Sequence, residues 1–566
     1  MGLAPDPRAR TEVVPARPKT ELLEMRRPVD DQAGKSPALG MRLLPEIALG
    51  SILYLMYSPV FLADYLMNDE WTVIGSRNGF REGVRNAFFF WGRSLFGIYS
   101  TLVYRFVGCS PFRIQVVRFL NFASFAAIAI FLFAFLRKRT QNALFSFLVV
   151  LFLFSQPSFQ GAMAYSLQMI SNTQPAIWLS LMALYIHFSW HRERFRHPLR
   201  IAAVFLLLLL AMQSTQTYAF FCMVPLTYVT LCDWKNQRRK IIEFLALASI
   251  VFLVSTLAYK IGLHYWHAHG KQGYHLAEDG VRAVGQHPIA VLLHALNPVT
   301  YWSAFEVWNY PFPFHSMPPL GTLKFTTACC IMVVWTMLIF WALRTEIQGR
   351  TREERRDTFF KWLAALACLA FGALFIVADS PLVSKEHRPH MVITFVGVAT
   401  FAAAYAWRTL ALKYRSFEGG VSKALGISVV AMIAFGAQAG LVRGYVNNRA
   451  EQLDFVRAEL VGAEPSAYRN IVVVLPQWND CVTEPCGPWA GQVVHGPHHV
   501  NQPGGYRYAL ATLGIAPESK MITFVQQRPD LTPDDAIVID WQAYASARYR
   551  QTHPRDNNAL NLGAHN

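Results

Sequence analysis

The chain has 566 residues, 53% of them hydrophobic and 16% charged, with a mean hydropathy of +0.24. Soluble proteins carry about 25% charge, which argues against a soluble enzyme of three or four domains; apolar runs such as 201–212 and 241–258 instead suit a bilayer, which takes roughly 17–25 residues to cross. Lys and Arg exceed Asp and Glu by 52 − 36 = 16. That surplus serves either an anionic partner such as a nucleic acid or the inside loops of a polytopic membrane protein, and its placement along the chain decides.

Residues 1–42 are polar, Pro-rich and charged, without the apolar core of a cleavable signal, and read as a disordered cytoplasmic tail. Eleven spans follow at 43–63, 115–136, 143–157, 175–190, 201–214, 217–232, 241–259, 322–343, 362–378, 391–409 and 424–442. The connections at 137–139, 191–200, 235–240, 344–361 and 408–423 are basic, whereas 158–174 and 213–216 contain no Lys or Arg. This asymmetry puts the N-terminus inside and, after eleven crossings, the C-terminus outside. Most of the surplus charge is therefore topology, and no nucleic-acid partner is expected.

One outside loop breaks the pattern. Residues 64–114 hold Arg77, Arg81, Arg85, Arg93, Arg105 and Arg113 among many aromatic residues. Arginine beside aromatic groups at helical spacing suggests helices lying in the membrane interface, as anchors or as a site for a lipid phosphate, whose oxygens match the guanidinium fork. The loop opens on Asp64-Tyr-Leu-Met-Asn-Asp69-Glu70-Trp71. Its carboxylates are either simply solvated or placed to deprotonate an acceptor hydroxyl, with the arginines stabilising a phosphate leaving group.

From residue 444 the composition changes. Short β-branched runs at 469–475, 521–525 and 536–541, separated by Pro/Gly-rich turns, predict a small α/β domain at 444–566 on the outer face. Cys481 and Cys486 are placed for a loop disulfide there. Cys222, Cys232, Cys329, Cys330 and Cys368 fall in apolar runs and read as small core residues. The histidines from His264 to His315 lack the regular spacing of a zinc site, and no Rossmann or P-loop glycine pattern occurs. Gln213 to Tyr218 forms either a tight turn or part of a cavity lining. A late outer turn carries Lys385, Glu386, His387 and Arg388, ionisable groups at a span end that mark function or cap the interface.

The acidic pair after the first span (Asn68-Asp69-Glu70-Trp71), the Gly92-Arg93-Ser94-Leu95 element and the arginine of Val117-Arg118-Phe119-Leu120-Asn121 together resemble the GT-C superfamily. These integral-membrane glycosyltransferases draw sugars from polyprenyl-phosphate donors, and the bacterial cell-envelope and O-antigen branch is the nearest in pattern. The resemblance implies a GT-C-like all-α bundle spanning residues 43–443 in a bacterial inner or plasma membrane. It also implies sugar transfer to a glycan, lipid or protein acceptor at the outer face. Asp69 or Glu70 would be the catalytic acid–base group, and Arg93, Arg118 and Arg388, with Lys385 and His387, would contact the donor phosphate. A divalent metal is left open. The second acidic motif of some branches is missing, since 158–174 contains no Asp or Glu. The alternatives are a lipid-linked glycan flippase or transporter, an O-antigen polymerase or ligase, and a non-catalytic assembly protein. The transporter would call for broken or charged helices at mid-membrane depth, which the spans do not suggest.

Overall fold

A computed structural model describes residues 39–66, 70, 93–189, 197–268, 321–379, 392–414, 446–462, 469–475, 503–525, 536–541 and 543–544, with a few isolated positions between them. Residues up to Leu44 form one unit, of which the described part begins a helix; Pro45–Asn566 forms the second, described below.

The chain is mostly helical. Its first helices are α1 (Leu39–Leu62), α2 (Ser94–Val107), α3 (Pro111–Thr140), α4 (Ala143–Phe154), α5 (Pro157–Ala164), α6 (Gln174–Ser189), α7 (His197–Ser214) and α8 (Met223–Ala268). They are followed by α9 (Gly321–Ile347), α10 (Arg352–Asp379) and α11 (Ile393–Lys413). Among the described residues, five helical segments are long and apolar enough to cross a membrane: Leu43–Leu62, Pro111–Thr140, Gln216–Gly262, Arg352–Leu374 and Ile393–Lys413. Large side chains such as Leu55, Leu206, Leu253, Val334, Met337 and Leu366 stand more than half exposed on these and neighbouring helices. A soluble monomer rarely shows so much apolar surface.

The helices run between two polar ends. At one end, Arg137 pairs with Glu46 at 2.9 Å, Arg139 pairs with Asp233, and Arg200 pairs with Glu243 at 2.8 Å. Arg408 donates there to the Arg139 and Thr140 carbonyls, which end α3, and Lys361 bridges Glu346 and Tyr405 at 2.8 and 2.9 Å. Ion pairs and carbonyl caps of this kind satisfy the orphan groups of helix termini. The other end, marked by Asp64, holds the candidate site.

The two spans read at 217–232 and 241–259 form the two arms of the 46-residue α8, which are separate helices meeting at a kink where Asp233 leaves helical φ/ψ. The connection contains no Gly or Pro, and its Lys, Gln and Arg are good helix formers. Helix resumes at once after Asp233, and the arms fold back on one another: Phe220 and Phe252 meet at 6.4 Å between ring centroids, and Tyr218 and Tyr259 both neighbour Arg93. The segment 158–174, read as an outside connection, differs from a simple loop. It folds as α5, a three-residue turn and a π-helical turn (Met169–Thr173), with α5 bent by 59° from α4. Its Ser158, Gln160, Ser166, Ser171, Asn172 and Thr173 are all buried. Asn121 anchors it from α3, donating to the Ala162 carbonyl at 3.4 Å and to Ser166 Oγ at 3.3 Å, while Gln174 Nε2 donates to Asn121 Oδ1 at 3.1 Å. Most of these side chains bond one another or the backbone, while Ser158 Oγ and Gln160 Oε1 make no hydrogen bond among the described residues.

The tail forms the expected strands. β1 (Asn470–Val474), β2 (Met521–Val525) and β3 (Ala536–Asp540) make a parallel sheet in the order β2-β1-β3. Helices α12 (Asn448–Val461) and α13 (Pro503–Thr512) accompany the sheet. Its core of Leu453, Ile471, Tyr506, Leu510 and Trp541 is continuous with Leu66, Val107, Ile114, Val117 and Leu167 of the Asp64 end. Cys481 and Cys486 lie outside the described residues. The six described cysteines, Cys109 and the five of the apolar runs, are free thiols, with Cys222 and Cys368 buried as expected and Cys330 exposed.

Candidate functional site

The site is built where α1 ends. Pro59 lies in its last turn, and beyond Leu62 the chain leaves the helix with the carbonyls of Val60, Ala63 and Tyr65 in need of donors. Arg118, two turns into α3 on its buried face, supplies them. Its guanidinium donates to Val60 O at 3.5 Å, Ala63 O at 3.1 Å and Tyr65 O, and lies over the Tyr65 ring at 3.9 Å. Glu70 comes to 3.9 Å from the same guanidinium, and both side chains are fully buried. The Leu167 N–H points at the Glu70 carboxylate from the segment after α5 at 3.4 Å, and the Tyr65 hydroxyl donates to Ala164 O at 3.1 Å. Burial raises the Tyr65 pKa above its ordinary value, with Arg118 opposing and Glu70 adding to the rise. That hydroxyl stays protonated as a donor.

Of the residues expected to act on substrate, Glu70 and Arg118 are thus brought together. Arg118 is enclosed, with its fork facing backbone carbonyls and Glu70. Arg93 stands elsewhere at the same end, at the N-cap of α2. Ser94 beside it donates from N–H and Oγ to Gln213 Oε1 at 3.3 and 3.0 Å. This brings the Gln213–Tyr218 turn next to Arg93, and Thr394 of α11 donates to the Thr217 carbonyl at 3.3 Å. Burial lowers the Arg93 pKa from the usual arginine value, while neighbouring Tyr218 and Tyr259 raise it. Asp69, Lys385, His387 and Arg388 lie outside the described residues.

Within the arginine-rich loop, the described α2 leaves apolar side chains exposed beside an arginine. Leu102 and Phe106 are exposed on it, and Arg113 donates to Phe106 O at 3.0 Å while covering the Phe106 ring at 5.7 Å. Aromatic rings and arginine stems share one surface there, as in helices that lie along a bilayer.

Two groups at this end escaped sequence reasoning. Arg449 of α12 is 3% exposed, donates to Gln452 Oε1 at 2.8 Å and lies beside Tyr165. Burial lowers its pKa to about 10, so it is still a cation at neutral pH. A lone Arg in a polar amphipathic helix carries no sequence signal of burial. Asp64, read as part of the acidic segment, instead receives Arg457 of α12 and the Tyr508 hydroxyl of α13. It is the carboxylate on which the tail docks. Burial and the adjacent Asp64 carboxylate both raise the Tyr508 pKa.

Among the described residues, Arg93, Arg118, Arg449 and Arg457 stand at this end against Glu70 and Asp64, a cationic surplus that attracts an anion in a poorly solvated setting. Among the described residues no group of three His, Cys, Asp or Glu side chains is placed to hold a metal. No family model matches the chain, and no curated protein matches it significantly in sequence.

Proposed function

We propose that the protein is a GT-C-type membrane glycosyltransferase, moving a sugar from a polyprenyl-phosphate donor to a glycan, lipid or protein acceptor of the bacterial cell envelope. In this reading the bundle crosses the inner membrane eleven times, the Asp64 end faces outward, and the tail is extracytoplasmic. The observation that carries it is the meeting of Glu70 and Arg118 at 3.9 Å behind the first helix, with Arg93 partly buried at the same end. Asp69 or Glu70 takes the proton of the acceptor hydroxyl as its oxygen bonds to the anomeric carbon. The bond from that carbon to the donor phosphate breaks, and polyprenyl phosphate departs with its charge held by Arg93 and Arg388. Lys385 and His387 border Arg388 in the same turn. Arg118 serves chiefly by fixing Glu70 and the end of α1.

Asp69→Asn and Glu70→Gln test the reading, with release of polyprenyl phosphate and surface glycan as readouts. Loss of the general base costs about 10²–10⁴-fold in rate. Unchanged glycan from a normally inserted double variant overturns the mechanism.

The 59° break between α4 and α5, with its buried polar residues, favours one other reading, a lipid-linked glycan flippase, since transporters build sites from discontinuous helices. Translocation of a labelled lipid-linked glycan in vesicles, retained by the Asp69→Asn/Glu70→Gln double variant, would select it.

A further inference from the structure

A cleft of about 660 Å³ opens in the tail at the N-terminal edge of the sheet, lined by Arg469, Arg507 and Lys520, with Glu518, Met521 and Phe524 among its other walls. Its size falls within the roughly 300–1,000 Å³ of small-ligand sites. The charges are set by the fold. Asn470 and Met521 are in register across β1 and β2, so Arg469 and Lys520, one step before each, stand side by side at the same edge. Like charges across a strand pair destabilise it. Arg507 adds a third cation from α13, and among the described lining residues Glu518 is the one carboxylate. The contrast lies at the opposite end of the bundle, where a cleft of about 380 Å³ sets Lys235 and Arg238 against Glu353, Glu354 and Asp357. There the acids outnumber the bases; in the tail cleft the described lining carries three cations and one carboxylate.

The cleft also has an apolar margin. Met521 is 62% exposed at its rim. Arg507 and Glu518 both act electrostatically on the Cys109 thiol, which places the cleft beside the turn between α2 and α3, at the Asp64 end of the bundle.

We propose that this cleft binds a phosphoryl group, carried on a lipid headgroup or on a soluble phosphorylated glycan. Guanidinium forks and an ammonium group suit phosphate oxygens, and Met521 and Phe524 supply the surface for the attached apolar or sugar part. The site is independent of the transfer reaction at Glu70.

The test is calorimetric titration of the full chain in a nonionic detergent with inorganic phosphate, dihexanoyl phosphatidylglycerol or zwitterionic dihexanoyl phosphatidylcholine. Saturable binding of the two anionic probes is expected. Arg469→Gln and Lys520→Gln should each weaken it about fivefold, the effect of one unit charge near a solvated site. Glu518→Gln should tighten it by a similar factor, a gain that misfolding does not produce. Phosphatidylglycerol binding far above phosphate assigns the lipid source, and equal affinities assign the soluble one. The proposal is overturned if neither anionic probe binds saturably, if phosphatidylcholine binds as well as phosphatidylglycerol, or if the three substitutions leave affinity unchanged.

Discussion

Replacing Arg118 with Met keeps an unbranched side chain of similar length and removes the guanidinium. Three backbone carbonyls at the end of α1 then lose their donor, and Glu70 loses the cation 3.9 Å away. An orphaned buried acceptor costs about 1–3 kcal/mol, and breaking a buried ion pair from one side costs about 3–5 kcal/mol. The groups share one small volume and relax together, so these costs do not add. The expected net loss is about 3–5 kcal/mol, read by SDS-titration unfolding in mixed micelles. Adding Glu70→Gln removes the stranded carboxylate and should restore about 1–3 kcal/mol. Unchanged unfolding of Arg118→Met, or no recovery in the double variant, would refute the clamp. Loss of sugar transfer with unchanged unfolding would instead make Arg118 a substrate ligand.

Arg457→Ala removes the ion pair to Asp64 and the 3.0 Å bond to Thr512 Oγ1; the tail should loosen by about 1–2 kcal/mol, seen as faster limited proteolysis of α12 and α13 with the bundle intact. Gly372→Ala puts a Cβ 2.9 Å from the Phe395 Cα, where α10 and α11 pack backbone to backbone, and this overpacking should cost about 1–3 kcal/mol in the same unfolding assay. At the Arg139 end, Thr351 and Glu354 form a capping box at the start of α10, with Thr351 N–H donating to Glu354 Oε2 at 3.1 Å and Glu354 N–H to Thr351 Oγ1 at 3.4 Å. Bonds from the Thr351 backbone and hydroxyl hold the Glu354 pKa below its ordinary value, so the cap's contribution is complete above the ordinary Glu range and is lost as pH falls through the lowered value. The protection factors of the first turn of α10, taken against the intrinsic exchange rate at each pH, should fall on acidification in the native chain and show no such step in Glu354→Gln.

Much of the architecture was legible because apolar runs and β-branched runs each carry one period. The three strands fell where Val, Ile and Phe clustered between turns, and the long helices followed the apolar stretches. The two arms of α8 followed their apolar runs, but the place of the reversal was not legible: the basic run 235–240 is itself helical, and the chain turns just before it at Asp233. The buried segment 158–174 was hidden for a related reason: its Ser, Gln, Asn and Thr side chains read as a surface loop until Asn121 and Gln174 supply their partners. In the site, adjacency revealed Glu70 and the GT-C resemblance drew attention to Arg118. The burial of Arg449 and the docking role of Asp64 depend on partners far away in the chain, and no local pattern records them.

The Asp64 contact spans the chain: its partners lie 393 and 444 residues downstream. A ribosome adding roughly 5–20 residues per second leaves this carboxylate waiting on the order of 20–90 s for Arg457 and Tyr508. Throughout that interval the segment leading to Glu70 has no tail to dock against. A product truncated before α12 therefore carries α1 to α11 and still lacks the fastening of its Asp64 segment.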